Sequence, residues 1–501
     1  MKRIYEYIKK DSAFNHAMNL LSFDLETQAP KLAIEGISNT MEVLSELSYL
    51  NFVNPEFKEL LYSIDTNELS EIDKKVVAKL KKNVFEKMSK IPVDEYSEYN
   101  ALVSKAAHNW EIAKNENKYE IFKPYLKKLI ETNKKFINYR GYENHPYDVL
   151  LDDFEDGLNV KTADEFFNLL KEELSPFIKT VLKNKGEKVT KLKEKLNSRK
   201  YDVDTQKKLC FELAKILGFD LEKGVISESA HPFTTNMNNK DVRITIHYYE
   251  NDILSAIYST VHEVGHAIYE QQVSDEYDKT RILAGGSTMG IHEAQSRFYE
   301  NVIGKQEEFS YLVHELLKKY FDIELTKEEL HLVINDVSAS FIRTEADELT
   351  YPIHVLIRYE LEKEMIGSDI NVDKLSDMWD DMYEKYLGIR PDNYTIGILQ
   401  DSHWSGGLFG YFPSYAIGSA YASQMYNAMI KEVDVPSAIR ERDFSKINKF
   451  LEKTIHRYGS SKTPDELIYS CSQEKFNPNY YIDYLKNKFI KLYDIKGDQH
   501  E

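Results

Sequence analysis

The residues best suited to chemistry stand at His262-Glu263-Val264-Gly265-His266, inside the run NDILSAIYSTVHEVGHAIYEQQV. Asn251 or Asp252 can cap a helix there, and Ile253, Leu254, Ile257, Tyr258, Val261 and Ile268 give it an apolar face. Histidines at i and i+4 leave one side of such a helix and can reach a single Zn²⁺. A glutamate just after the first histidine lies beside a metal-bound water without ligating the metal. The bland alternative is a pair of histidines on an amphipathic helix, and the intact pattern inside a good helix argues against it.

A site of this kind needs a third protein ligand and one open position. No third histidine follows at the spacing of the longer zinc motif, because residue 272 is Gln. A carboxylate would complete a two-histidine, one-glutamate set. The segment Ser287-Thr-Met-Gly-Ile-His-Glu-Ala-Gln-Ser-Arg-Phe298 supplies Glu293, on a helix that Ser287 or Thr288 can cap. Met289, Ile291, Ala294 and Phe298 around it favour burial, and a buried carboxylate needs pairing or a metal.

Helices dominate the elements that must position these groups. Val43, Leu44, Leu47 and Leu50 form one helical stripe, and Phe166, Phe167, Leu169, Leu170 and Leu174 another. Only 20 glycines and 13 prolines punctuate the chain, which favours long helices over many short strands. The clearest strand is Val242–Tyr249, where Val242, Ile244, Ile246 and Tyr248 alternate, with a companion expected within 225–235. The lysine-rich stretch Lys183–Asp204 reads as a solvated helix or exposed connection and is a candidate boundary. Gly397–Gly418, rich in Gly, Ser and aromatics, reads as loop backbone approaching something closely.

Composition narrows the class. The chain has 501 residues, with 65 basic and 83 acidic side chains and a formal net charge of −18. No basic face or stripe is visible, so nucleic acid and anionic membrane surfaces are poor partners. Two distant cysteines, Cys210 and Cys471, do not make a disulfide scaffold, and a reduced, cytoplasmic setting is expected. No signal-like or membrane-spanning apolar run is present. Length alone suggests about three domains, but the motifs between 231 and 404 set out next, through the family resemblance they carry, imply one site. A single catalytic unit over 1–501 is therefore expected, with an N-terminal helical lobe at 1–200 and the metal and substrate motifs at 201–501.

Six motifs in order make the sequence resemble the carboxypeptidase Taq family of metallocarboxypeptidases over nearly its whole length. They are His231-Pro232-Phe233, Asp241-Val-Arg243-Ile-Thr245, the H-E-x-x-H at 262–266, His292-Glu293-Ala294-Gln295, Ile342-Arg343-Thr-Glu-Ala346-Asp347, and Gly397-Ile-Leu-Gln400-Asp401-Ser-His403-Trp404. The stretches LLSFDLET and HPYDVLLDDFEDG look like the family's as well. Two positions depart from the pattern: Ala294, where Ser or Gly is usual, and Phe23, where many members carry Trp. The resemblance implies a mainly α, two-lobed fold with a deep groove closed at one end and a small sheet near the zinc helix. It also implies a homodimer, broad specificity for peptides with a free C-terminus, and one Zn²⁺ per chain that Co²⁺ can replace.

The residues then divide by role. His262, His266 and Glu293 hold the metal, and Glu263 is the general base and acid. A free C-terminal carboxylate calls for an arginine fork, with Arg343 first and Arg243 second. The structural alternative for each is an ion pair, with Asp347 and Asp241 respectively. His231, His403, Tyr411 and Tyr415 are candidate donors to the developing oxyanion. His292, Asp347, Gln400 and Asp401 are candidates to hold the metal ligands in orientation from outside the ligand set, although Asp401 could equally support only its loop. The rival functions are a helical zinc oligopeptidase that cuts internally and a non-catalytic helical scaffold.

Overall fold

In the computed structural model, which describes residues 1–495, apolar periodicity becomes helix almost everywhere and strand in one place. The chain forms two compact units, each assembled from three segments. The first comprises Met1–Ser89, Leu192–Ile334 and Met425–Phe476, and the second Lys90–Lys191, Asn335–Gln424 and the chain from Asn477 onward. This differs from the expected division near residue 200. The lysine-rich stretch does contain one crossing between units, but it is a packed helix, Lys188–Asn197, with Val189 and Leu196 buried, rather than a linker. No helix among the described residues is long and apolar enough to cross a membrane.

The first unit holds the sheet. Strands β1 (Gly224–Glu228), β2 (Phe233–Asn238) and β3 (Asp241–Ile246) lie in the order β1-β3-β2. β1 runs parallel to β3, and β2 antiparallel, with Thr235 opposite Arg243 and an irregularity at Asn236/Asn238. Alternation buries Val242, Ile244 and Ile246, as the pattern predicts. The strand stops three residues short of Tyr249. His247 turns its Nδ1 to the Ser229 carbonyl at 2.8 Å, and the exposed Tyr249 lies beyond the strand, in an isolated bridge to Asp252.

Helix α1 (Lys2–Thr27) packs along α2 (Ile34–Phe52). The stripe expected to be core on α2 is mostly outward: Val43, Leu47 and Leu50 are exposed, and the helix buries no residue fully. Helix α3 (Ile253–Gln272) packs its apolar face on β2 and β3. Asp252 caps it, accepting from the Ser255 N–H at 3.2 Å. Thr288 caps α4 (Met289–Arg297), accepting from the Ile291 N–H at 3.4 Å. Both caps are among the residues the sequence offered. Past Arg297 the helix widens into a π-helical turn, Phe298–Ile303, a form that often marks functional sites. Helices α3 and α4 cross at Gly265, where the absent side chain lets the backbones touch.

In the second unit, helix α5 (Tyr351–Gly367) is buried along most of its length. The Gly397–Gly418 segment lies against it, tied by Glu362. That carboxylate accepts from the Trp404 Nε1–H at 2.7 Å, the Gly410 N–H at 2.8 Å and the Tyr147 hydroxyl at 2.5 Å. Burial outweighs these three donors and lifts Glu362 to about 7.

Candidate metal centre

One turn of α3 separates His262 from His266, so both rings leave the same side of the helix, with centroids 4.9 Å apart. Glu293 faces them from α4. Its Oε2 lies 3.5 Å from His266 Nε2 and 3.9 Å from His262 Nε2. Ligand atoms of the three residues all fall within 4.8 Å of one another. The remaining ring nitrogens are tied outward: His262 Nδ1 lies 2.8 Å from Glu300 Oε2, and His266 Nδ1 lies 2.6 Å from His292 Nδ1. Arg297 donates to Glu293 Oε1 at 2.6 Å and to Glu300 Oε2 at 3.2 Å, and Ser296 donates to Glu293 Oε2 at 3.1 Å.

The electrostatics suit a cation at the centre. Burial pulls His262 down, but Glu293 and Glu300 outweigh it and raise this histidine to about 9. Burial pushes His266 down to about 3, which leaves its ring neutral and able to donate a lone pair. Burial would raise both Glu293 and Glu300. Arg297 and the histidines instead hold Glu293 well below the usual carboxylate range and Glu300 at about 2. A proton on His262 thus stands in for positive charge that the carboxylates solicit. Two imidazoles and one carboxylate, with outer hydrogen bonds that leave the Nε2 atoms facing inward, are a donor set that fits a divalent ion of the zinc type.

Glu263 follows His262 on α3 and is buried. The Thr234 hydroxyl, on β2, donates to its Oε2 at 2.6 Å. Burial raises Glu263, with the Thr234 hydrogen bond and His262 opposing. The side chain therefore has the character of a proton acceptor that does not stay ionised at any cost.

Arg243 and His231 also lie in this unit. Arg243 grips Asp241 through Nε and Nη2 at 2.8 and 2.9 Å, which is its structural alternative realised, and its guanidinium lies 5.2 Å over the Phe23 ring. His231, in the turn between β1 and β2, is exposed, and its carbonyl accepts from the Ser229 hydroxyl at 2.6 Å.

The second unit collects the other expected residues. Arg343 is buried and donates to Asp401 through Nη2 at 2.8 Å and Nε at 3.1 Å, and to the Tyr351 hydroxyl at 3.0 Å. Its guanidinium lies 4.9 Å from the Tyr415 ring and 5.4 Å from that of Phe412. Arg358, entirely buried on α5, donates to the other oxygen of Asp401 at 2.6 Å. Burial would raise Asp401, but the two guanidiniums hold it far below the usual carboxylate range. Gln400 accepts from the Arg343 N–H at 2.9 Å and from Arg358 Nη2 at 2.8 Å. His403 Nε2 lies 3.1 Å from the Tyr415 hydroxyl, while its buried Nδ1 has no hydrogen-bond partner among the described residues. Tyr411 packs edge-on against Tyr415 at 5.1 Å.

Arg343 takes Asp401 where Asp347 was the carboxylate weighed for it, and Asp347 turns to the backbone of its own turn. It accepts from the N–H groups of Leu349, Thr350 and Ser338 and from the Thr350 hydroxyl, fixing the entry to α5. Asp401 likewise serves the two arginines rather than the metal donors. Of the residues expected to orient ligands, His292 is the one bonded to a ligand. Glu300, Arg297, Glu270, Thr234 and Arg358 were not anticipated. The spacing Glu293, Arg297, Glu300 was a readable signal, since residues at i, i+4 and i+7 share a helix face.

Comparison with known proteins follows the same lines. A family model described as carboxypeptidase Taq (M32) metallopeptidase matches residues 3–489. Carboxypeptidase 1 of Bacillus subtilis strain 168 is 40% identical over 498 residues, covering 98% of each chain. Thermostable carboxypeptidase 1 of Pyrococcus furiosus is 37% identical over 497 residues, again 98% of each. The crystal structure of the M32 carboxypeptidase from Deinococcus radiodurans R1 superposes with a TM-score of 0.93 at 30% identity, covering 99% of each chain.

Proposed function

Because the chain belongs to the carboxypeptidase Taq (M32) metallopeptidase family, we propose that it releases single amino acids from the C-termini of peptides, with zinc as the ion and Glu263 as the proton carrier. Family membership makes it a metallocarboxypeptidase. The ion, the residue roles and a broad choice of C-terminal residue are the proposal. The observation that carries it is the convergence of His262, His266 and Glu293, with buried Glu263 next in sequence to His262.

A divalent ion held by those three residues would polarise the scissile carbonyl and lower the pKa of a bound water. Glu263 takes a proton from the attacking water and later gives it to the leaving amine. The Thr234 hydroxyl, bonded to Oε2, fixes the orientation of this carboxylate. Burial raises the pKa of Glu263 toward the working pH, as a residue that must both accept and release a proton requires.

We assign recognition of the substrate carboxylate to Arg343, supported by its aromatic surroundings and its fixed fork. Arg243 is the second choice; Asp241 holds its Nε and Nη2 much as Asp401 holds those of Arg343, but its guanidinium lies over a single ring, that of Phe23. His403, with its unpartnered Nδ1, is the leading further substrate contact among His231, His403, Tyr411 and Tyr415. The proposed setting is cytoplasmic and the proposed assembly a homodimer. Metal analysis of the purified protein tests the ion. About one zinc per chain is expected, with peptide hydrolysis lost on chelation and restored by zinc or cobalt. Full hydrolysis by metal-free protein would refute the proposal.

A further inference from the structure

Glu270 lies on α3, one helical turn beyond His266. It is buried, yet its carboxylate is surrounded by donors. The Gly286 backbone N–H reaches Oε1 at 2.8 Å, Asn236 of β2 donates to Oε2, and His292 Nε2 lies 2.8 Å from Oε1. His292 turns its other nitrogen to His266, Nδ1 to Nδ1, at 2.6 Å. The fold makes room for this ring. A Cβ on residue 286 would stand 2.5 Å from His292 Cδ2 and 2.8 Å from Tyr269 Cε1, so Gly286 is what admits the imidazole.

We propose that Glu270, acting through His292, fixes the proton pattern and ring orientation of His266, so that His266 Nε2 presents a bare lone pair toward Glu293. The inference rests on reading His262, His266 and Glu293 as the metal site. A carboxylate can only accept, so His292 Nε2 carries the proton of that bond. A neutral His292 then has a bare Nδ1, which accepts. The proton between the two rings therefore sits on His266 Nδ1, which leaves His266 Nε2 without one. A single carboxylate thus sets the state of four ring nitrogens. His262 receives the same service without an intermediary, since Glu300 meets its Nδ1 directly. Glu270 and His292 are positioning residues. Such outer partners typically change metal affinity by about ten- to a hundredfold.

The test is a double-mutant cycle read as zinc dissociation constants by competition with a chromophoric chelator. Glu270→Ala and His292→Phe are each expected to weaken zinc binding about tenfold or more. If Glu270 acts through His292, the double variant binds zinc as His292→Phe does, within about threefold, because the losses are shared. Losses that multiply in the double variant would overturn the relay, as would wild-type zinc affinity in either single variant. Thermal melts of the zinc-free proteins show whether each variant folds. If Glu270→Ala does not fold, His292→Phe carries the test alone, and an unchanged zinc affinity overturns the proposal. A wild-type protein that bound no zinc would remove the metal reading itself. Tight wild-type binding with multiplicative losses would remove only the relay.

Discussion

Gly265 meets the backbone of Gln295 so closely that a Cβ at this position would stand 2.8 Å from the Gln295 carbonyl oxygen. The same Cβ would also stand 2.8 Å from the Ser296 Cα. The helix with the two histidines and the helix with Glu293 therefore touch backbone to backbone, which brings three donors from two elements within bonding reach of one ion. Gly265→Ala must push the helices apart. Overpacking of this kind costs about 1–3 kcal/mol. The variant should melt at a lower temperature and hold zinc less tightly, both measurable by thermal melts with and without metal. Wild-type behaviour in both would show that the contact does not set the site.

Glu263→Gln removes the proton carrier and leaves the three donors in place. Zinc content should stay near that of the wild type while turnover falls by about two to four orders of magnitude. Side-by-side metal analysis and peptide hydrolysis check this, and near-normal turnover would remove Glu263 from the mechanism.

Arg343→Ala should weaken substrates with a free C-terminus far more than their amidated counterparts. A bidentate charge-assisted pair contributes more than a neutral hydrogen bond, so a rise in KM of about tenfold or more is expected for the free peptides. The corresponding change for Arg243→Ala should be smaller. Equal effects of Arg343→Ala on free and amidated peptides would shift the anchor elsewhere.

The site was more legible in the sequence than its supports. His262, His266 and Glu293 stand out because helical spacing and residue type are local properties, and so are the caps Asp252 and Thr288. The structural alternative weighed for Arg343 named the wrong carboxylate. An Asp four residues downstream looks like an i,i+4 partner, but the chain makes a 3₁₀ turn at Arg343–Glu345, and Asp347 is spent on the start of α5. The true partner, Asp401, lies far along the sequence, and tertiary contacts of that kind leave no local mark. Glu300 was readable from its spacing to Glu293 and went unused, whereas the compact units were hidden by their assembly from separated segments.

Glu362 gives the stability a pH dependence of definite sign. Folded, it keeps its proton up to about pH 7, whereas the unfolded chain releases it near the ordinary carboxyl value of 4.5. Between these values the folded state binds more protons, so stability falls as pH rises and the loss is complete above about 7. The shift corresponds to about 3 kcal/mol. Glu362→Gln lacks this titration. Urea unfolding of both proteins across this range should show the wild type losing about that much relative to the variant. A difference that stays constant with pH would contradict the assignment.

The central claim is metal-dependent release from a free C-terminus. Mass spectrometry of matched peptide pairs, one free and one amidated at the C-terminus, tests it most directly when run with and without chelator. The account predicts a ladder of products shortened one residue at a time from the free peptides, none from the amidated ones, and none under chelation until zinc is restored. Internal cleavage of the amidated peptides, or a ladder that chelation leaves undiminished, would contradict it.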